Sequence, residues 1–167
     1  MAQERTLILT HDQIQKKLER IAHHIHENHY KQKELHVVGL AERGYRMAER
    51  ISSHLEKISG LKIHTHRLKL DKNNPGSTPD FSGDAAALKG NVVMLVDDVV
   101  NSGRTMIYAT SFILDQHPDT LGTVALIDRI HRKFPIRVDY VGLTLSTNLK
   151  EHVSVEVTKK TVSAYLE

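Results

Sequence analysis

The stretch "NVVMLVDDVVNSGRT", residues 91 to 105, decides how the rest of this sequence is interpreted. Its apolar run predicts a buried strand over residues 92 to 97. Two aspartates close that strand, and a short polar turn leads into a helix predicted over about 104 to 116. In a parallel α/β sheet, ligands bind beyond the carboxyl ends of the strands. The aspartate pair is therefore predicted to lie where a ligand binds.

The aspartate pair and the turn after it suit two parts of one ligand. Asp97 and Asp98 present only acceptor oxygens, which match the hydroxyls of a vicinal diol or a hydrated magnesium ion. Gly103 lets a ligand approach the backbone, and successive amides ahead of a helix attract a phosphate. A diol site beside a phosphate site is typical of a ribose 5-phosphate site. The side chains of the turn that add donors are Ser102, Arg104 and Thr105.

Other interpretations of the stretch remain open at this point. A strand that ends in acidic residues ahead of a capped helix also occurs in α/β proteins where it has a purely structural role. A Walker phosphate loop needs a Gly-Lys-Ser/Thr ending, which this turn lacks. A receiver domain places paired aspartates after a strand too, but near its N-terminus, with most of its sheet still to follow.

The remaining chain predicts alternating helices and strands. Apolar residues recur at three- and four-residue spacing from Ile14 to Ile25, with Thr10 or Asp12 as the cap, and again from Met47 to Ile58. A mostly parallel central sheet flanked by helices, in a single α/β domain spanning residues 1–167, follows from this order. The predicted strands lie at 35–40, 61–70 (near a sheet edge), 121–127, 138–142 and in "HVSVEV", residues 152–157.

Composition excludes several classes of protein. Lys and Arg number 23 against 20 Asp and Glu, and this mild excess suits an anionic small ligand without requiring nucleic acid. The absence of cysteine excludes disulfides, zinc–thiolate sites and cysteine nucleophiles. No secretory signal is recognised in "MAQERTLILTHDQ", and no apolar run is long enough to cross a bilayer. The expected compartment is the cytoplasm.

The segment "VMLVDDVVNSGRT" resembles the motif with which type I phosphoribosyltransferases bind 5-phosphoribosyl-1-pyrophosphate (PRPP). Further segments, "LTHDQIQKKLERIAHHI", "VVGLAERGYRMAERI" and "VALIDRIHRKFPIRVDYVG", are similar to those of the PyrR family. Members of that family are pyrimidine-operon attenuators that are also uracil phosphoribosyltransferases. The resemblance covers most of the chain and is weakest between about 62 and 90. It implies the type I phosphoribosyltransferase fold, with a small hood at about 128–152 and a flexible lid at about 71–90.

The resemblance also implies a role for each matching residue. Asp97 and Asp98 would hold the ribose hydroxyls, directly or through Mg²⁺, with PRPP and a nucleobase as substrates. The turn at 40–44 would bind pyrophosphate, and the hood would receive the base. The catalytic residues implied by the resemblance are Arg43, Asp97 and Asp98. The residues expected to bind substrate are Arg43, Gly44, Asp97, Asp98, Asn101, Ser102, Gly103, Arg104, Thr105, Arg129 and Arg137.

Three departures from the family pattern carry consequences. Purine-using relatives commonly have an acidic residue at the position of Asn101, so asparagine favours a pyrimidine, most of all uracil. Ala41 and Glu42 replace a lysine and a threonine usual in PyrR-like proteins, and an anion there should weaken pyrophosphate binding or turnover. In the lid, "DKNN" stands in place of Arg-Asp-Asp, and Lys72 lacks the bidentate geometry of arginine.

Two other functions stay open beside uracil phosphoribosyl transfer. One is an RNA-binding regulator of pyrimidine genes with weak or no catalysis, for which Arg20, His23, Arg132 and Arg137 match basic positions of PyrR-like proteins. The other is transfer to a purine base. A homodimer or higher homo-oligomer is expected. The histidines at 23, 26 and 29 and at 64 and 66 are interpreted as exposed polar faces rather than as a metal site.

Overall fold

The structure, a computed structural model, describes residues 4–167 and builds them around two sheets. The larger sheet has six strands in the order β4-β3-β2-β5-β6-β7, and the smaller has three in the order β1-β9-β8. The strands are β1 Thr6–Leu9, β2 Glu34–Leu40, β3 Lys62–Lys69, β4 Asp80–Phe81, β5 Val92–Val100, β6 Thr120–Asp128, β7 Tyr140–Thr144, β8 Val153–Val157 and β9 Val162–Leu166. The helices are α1 His11–His29, α2 Ala41–Ile58 and α3 Arg104–Leu114, with a short 3₁₀ helix at Ala85–Leu88.

The larger sheet confirms the predicted mostly parallel α/β architecture. Strands β3, β2, β5, β6 and β7 are parallel to one another, and only the two-residue strand β4 is antiparallel, at the edge beyond β3. The prediction that residues 61–70 lie near a sheet edge agrees with this order. None of the helices in residues 4–167 has both the length and the apolar character needed to cross a bilayer.

Strand β5 is apolar from Val92 to Val96 because helices cover both faces of the sheet. Met94 packs into a core cluster with residues of α1 and α2, such as Ile14 and Ile51. Leu95 packs into a second cluster with residues of α3, such as Ile113. The strand continues to Val100, beyond the predicted end at 97, so both aspartates lie within it.

Helix α1 begins at a capping box. The hydroxyl oxygen of Thr10 accepts a hydrogen bond from the Gln13 amide, and the Gln13 side chain accepts one from the Thr10 amide. Thr10, one of the two predicted caps, is therefore the cap residue. The buried positions of the helix, from Ile14 to Ile25, are those that the spacing predicts.

The smaller sheet joins the two ends of the described chain and includes two strands that the sequence analysis missed, β1 and β9. β9 lies between β1 and β8 and is antiparallel to both. Arg5 strengthens this junction because its guanidinium stacks on Tyr165 and pairs with Glu156 and Glu167. The segment proposed as the hood, 128–152, contains the end of β6, a connecting loop and β7. The segment proposed as the lid, 71–90, contains β4 and the 3₁₀ helix.

Candidate functional site

Asp97 and Asp98 lie near the carboxyl end of β5, and both side chains are half-buried. The Asp98 amide donates to Oδ1 of Asp97 over 2.9 Å, which fixes the orientation of that carboxylate. Burial raises the pKa of Asp97 well above its usual range, and the neighbouring charge of Asp98 raises it further. The pair therefore resists holding two negative charges until a cation or a hydroxyl-bearing ligand compensates them.

The turn after the aspartates meets the N-terminus of α3. Gly103 is the residue before the helix and has φ of +83°, a left-handed conformation that favours glycine. Asn101, Arg104 and Thr105 are exposed, and Ser102 Oγ accepts a hydrogen bond from the Arg104 amide over 3.2 Å. The structure thus brings the predicted diol-binding and phosphate-binding residues together at one edge of the sheet.

The loop after β6 packs directly against this turn, a contact that the sequence analysis did not foresee. The carbonyl of Ser102 accepts hydrogen bonds from the amides of Lys133 and Phe134 over 3.0 and 3.1 Å. A Cβ on Gly103 would lie 2.3 Å from a methyl carbon of Ile136. The loop therefore fixes the conformation of the turn.

Arg129 and Arg132 hold that loop in place. Arg129 is 5% exposed, and its guanidinium donates to Oδ1 of Asn101 over 3.1 Å, to Oγ1 of Thr147 and to two main-chain carbonyls. Arg132 pairs with Asp128 over 2.9 Å and donates to the Asn101 carbonyl over 2.9 Å. Contact between Arg129 and pyrophosphate stays a prediction, and in this structure its donors are engaged within the protein.

The predicted pyrophosphate turn, residues 40–44, is a strand-to-helix junction in which α2 begins at Ala41. Ala41 has φ of +52°, a strained conformation for a residue with a side chain, and such strain is frequent at ligand sites. Gly44 is buried, and a Cβ there would lie 2.8 Å from the Val96 carbonyl. Gly44 thus lets α2 approach β5 beside the aspartates, which is a packing role.

Arg43 and Glu42 face solvent at the start of α2. Arg43 lines an open groove of about 880 Å³ between α2 and β8, together with Arg46 and Lys159. Glu42 pairs with Arg67 over 2.9 Å and with Arg46 over 3.1 Å. The negative charge that departs from the family pattern is therefore partly compensated by two arginines.

Arg137 makes no hydrogen bond or ion pair with the two aspartates within the described residues. Its guanidinium is exposed and pairs with Asp139, whose carboxylate accepts a hydrogen bond from the Thr123 amide. Thr123 is level with Leu95 on β5, two residues before Asp97. Its predicted ligand contact stays a prediction without support from this placement.

Mg²⁺ fits the chemistry of the aspartate pair. Carboxylate oxygens are its preferred protein ligands, and a divalent cation would offset the burial and the repulsion by Asp98 that raise the pKa of Asp97. Asp97 and Asp98 are the residues that would hold the ion, while the amides and hydroxyls of the turn suit a phosphate.

Comparison with known proteins now defines the class. A family described as the phosphoribosyl transferase domain matches residues 5–160. A protein of Macrococcus caseolyticus named Bifunctional protein PyrR is 36% identical over 95% of this chain and 97% of its own. A protein of the same name from Pelotomaculum thermopropionicum is 36% identical over 94% of this chain and 91% of its own. The chain therefore belongs to the phosphoribosyltransferase family and, within it, to the PyrR family, which confirms the resemblance seen in the sequence.

Solved structures support the same fold. The hypoxanthine phosphoribosyltransferase of Trypanosoma cruzi superposes with a TM-score of 0.75 at 17% identity, covering 84% of this chain and 81% of the other. A hypoxanthine-guanine phosphoribosyltransferase of Bacillus anthracis superposes with a TM-score of 0.73 at 16% identity, covering 97% and 99%. At this identity the likeness concerns the fold alone, and it confirms the predicted type I phosphoribosyltransferase fold.

Proposed function

We propose that this protein transfers the 5-phosphoribosyl group of PRPP to uracil, which yields UMP and pyrophosphate. The observation that carries the proposal is the position of Asp97 and Asp98 within a few residues of the N-terminus of α3, at one edge of the sheet. That edge offers acceptors for a ribose diol beside donors for its phosphate.

Different residues of the chain bind different parts of the substrate. Asp97 and Asp98 accept hydrogen bonds from the ribose hydroxyls, and the turn from Asn101 to Thr105 binds the 5-phosphate. A Mg²⁺ ion held by the two aspartates would supply positive charge that stabilises the leaving pyrophosphate. Arg43, exposed at the start of α2, adds a cation on the pyrophosphate side.

The reaction breaks the bond between the anomeric carbon and pyrophosphate, which leaves with the bonding electron pair. A base nitrogen forms a new bond to that carbon, and its proton is released to water. The transition state resembles an oxocarbenium ion, so catalysis depends on positioning and charge rather than on a covalent nucleophile. The rigid contacts of Ser102 with the loop after β6 support such positioning.

Asn101 favours a pyrimidine over a purine. Its Oδ1 already accepts a hydrogen bond from Arg129, so its free amide hydrogens are donors. Donors suit the carbonyl oxygens of uracil, whereas asparagine cannot take up a proton from a purine ring as a carboxylate can. Transfer to a purine is the outcome that would contradict this assignment.

Mass spectrometry of the products tests the proposal directly. The protein is incubated with PRPP, Mg²⁺ and a mixture of uracil, hypoxanthine, guanine, adenine, xanthine and orotate. We expect UMP, absent in the double variant Asp97→Asn, Asp98→Asn and retained in the control Asp119→Asn. Asp119 is an exposed aspartate directly before β6, at the amino ends of the parallel strands, opposite the end that carries Asp97 and Asp98. A purine nucleotide, or UMP formed by the double variant, would refute the proposal.

RNA binding is the second candidate function, and one observation favours it. Arg20 and His23 of α1 line a groove of about 430 Å³ with Asp139, the residue that pairs with Arg137. Three of the four basic residues noted in the sequence thus share one face, whereas Arg132, in the loop after β6, contacts the turn after β5. Arg20 also donates to the Gly142 carbonyl over 2.9 Å, which holds its side chain on this face.

Binding to a pool of RNA hairpins, measured over a range of salt concentrations, tests the second function. Replacing Arg137 by alanine should weaken binding and reduce its salt dependence, while the exposed control Lys150→Ala should change neither. Equal binding by both variants would exclude this face.

We also propose a homodimer or higher homo-oligomer, which sedimentation velocity measures; a monomer at micromolar concentration would contradict it.

A further inference from the structure

Three ionisable side chains cluster on β2 and β3, away from the aspartate pair. Parallel pairing of the two strands places His36 directly opposite His64, and Glu34 lies two residues before His36 on the same face of β2. His36 is level with Val93 on β5, four residues before Asp97, so the cluster lies about 13 Å from the aspartates along the sheet.

The side chains of the cluster converge on one point. Nε2 of His64 lies 3.3 Å from Glu34 Oε2, and Nε2 of His36 lies 3.9 Å from Glu34 Oε1. One nitrogen or oxygen from each of Glu34, His36 and His64 lies within 4.8 Å of the other two. The rings of His36 and His64 are stacked with their centroids 4.5 Å apart.

The two imidazole nitrogens of His36 differ in their hydrogen bonding, and Nε2 is the one left free to bind a ligand. Nδ1 of His36 is hydrogen-bonded to Nε2 of His66 over 2.9 Å. Nε2 of His36 is buried and has no hydrogen-bond partner within the described residues, although it is aimed at Glu34. His36 itself is only 2% exposed, so water does not replace the missing partner freely.

We propose that Glu34, His36 and His64 bind a divalent transition-metal ion of the Zn²⁺ type. Two imidazole nitrogens and one carboxylate oxygen form a ligand set that suits Zn²⁺, with the fourth position left to water. The cation resolves the unsatisfied state of His36, since its Nε2 lone pair then faces a positive charge. His66 completes the arrangement, because its hydrogen bond to Nδ1 orients the ring of His36, as outer partners of metal-bound histidines do.

Small side-chain movements bring the ligands to bonding distance. Tetrahedral Zn²⁺ with bonds of about 2.0–2.1 Å places its ligand atoms about 3.3 Å apart. The pair of His64 and Glu34 already meets this spacing at 3.3 Å. The half-exposed His64 ring must rotate out of its stack with His36 so that the metal lies in both ring planes. A metal bound there joins β2 to β3 through their side chains.

Calorimetric titration of the metal-free full-length protein with ZnCl₂, without PRPP or Mg²⁺, tests the site. We expect one ion per chain at this site, with affinity lowered at least about tenfold in His64→Ala and in Glu34→Gln. Both residues are partly exposed, so we expect these variants to retain the fold. Zn²⁺ should also raise the unfolding temperature of the wild type and not that of His64→Ala.

Two controls separate this site from others. His23→Ala removes an exposed histidine of the i, i+3 series on α1, and Asp97→Asn, Asp98→Asn removes the acidic pair of the proposed catalytic site. Both controls should keep wild-type zinc affinity. The proposal would be overturned if the wild type did not bind zinc, or if His64→Ala and Glu34→Gln bound zinc as tightly as the wild type. Loss of zinc binding in either control would also overturn it. Zinc binding by a protein that makes no nucleotide would leave this site established and refute the proposed transferase function alone.

Discussion

The guanidinium of Arg129 donates to the side-chain oxygen of Asn101 over 3.1 Å, and this bond joins the loop after β6 to the turn after β5. The same guanidinium binds Thr147 and the carbonyls of Asn148 and Glu151. One buried cation thus organises three separate segments around the proposed phosphate site.

We predict that Arg129→Ala lowers the free energy of unfolding by about 3 kcal/mol, because it leaves several buried acceptors without a donor. Nucleotide formation should fall with it, since Asn101 loses its partner. The control Arg137→Ala removes an arginine that is 88% exposed and should change stability little. Chemical denaturation measures both, and equal stability of the two variants would contradict the assigned role of Arg129.

Comparing alanine substitutions at two glycines tests the contact between the phosphate turn and the loop after β6. Gly103 and Gly90 both have positive φ, at +83° and +72°, but only Gly103 has neighbours that an added Cβ would meet. We predict that Gly90→Ala costs about 1–2 kcal/mol from backbone strain alone. Gly103→Ala should cost clearly more and also weaken PRPP binding, because the turn must move away from Ile136. Thermal unfolding and PRPP titration provide the measurements; equal costs would show that the contact yields without penalty.

The raised pKa of Asp97 predicts how stability depends on pH in the absence of ligand. A carboxyl whose pKa is higher in the folded state favours folding most at low pH, and this contribution is lost as pH rises above 3.8 through the folded value. Asp97→Asn removes the titrating group, so its unfolding temperature relative to wild type should be higher at pH 8 than at pH 4. Mg²⁺ should reduce the loss in the wild type. A difference that is constant with pH would contradict the raised pKa.

Glu42 offers a test of charge at the start of α2. We predict that Glu42→Gln strengthens pyrophosphate binding a few-fold, because it removes an anion and releases Arg67 and Arg46. Stability should change by less than about 1 kcal/mol, since the pairs are exposed. Glu49→Gln is the control, since Glu49 pairs with Arg46 further along α2. Competition between pyrophosphate and PRPP measures the effect; weaker binding by Glu42→Gln would show that the ion pairs order the site.

The sequence predicts the central sheet well because its signals are local. The apolar run of β5, the helical spacing of α1 and the aspartates at the strand end each depend on neighbouring residues. β1 was missed because it is four residues long and pairs only with β9, more than 150 residues away. β9 is also short, and it pairs with β1 as well as with the neighbouring β8. Strand pairing of this kind leaves little trace in either segment alone.

The candidate site shows the same division between local and distant information. Asp97, Asp98 and the turn to Thr105 are recognisable from one contiguous motif. The support from Arg129 depends on how the loop after β6 folds back, and the contact of His36 with His64 depends on the pairing of β2 with β3. The left-handed conformation of Ala41 has no signal in the sequence, since alanine ordinarily avoids it.

The position of β9 in the smaller sheet has a consequence for the order of folding. β9 is the middle strand of that sheet, yet it follows every other strand in the chain. On the ribosome, β2 to β7 emerge before β9, so the larger sheet can assemble while β1 and β8 still lack the strand between them. Pairing between segments that are far apart in the chain is slow, because closing the long loop between them costs entropy. The β1–β9–β8 sheet is therefore expected to close after the larger sheet has assembled.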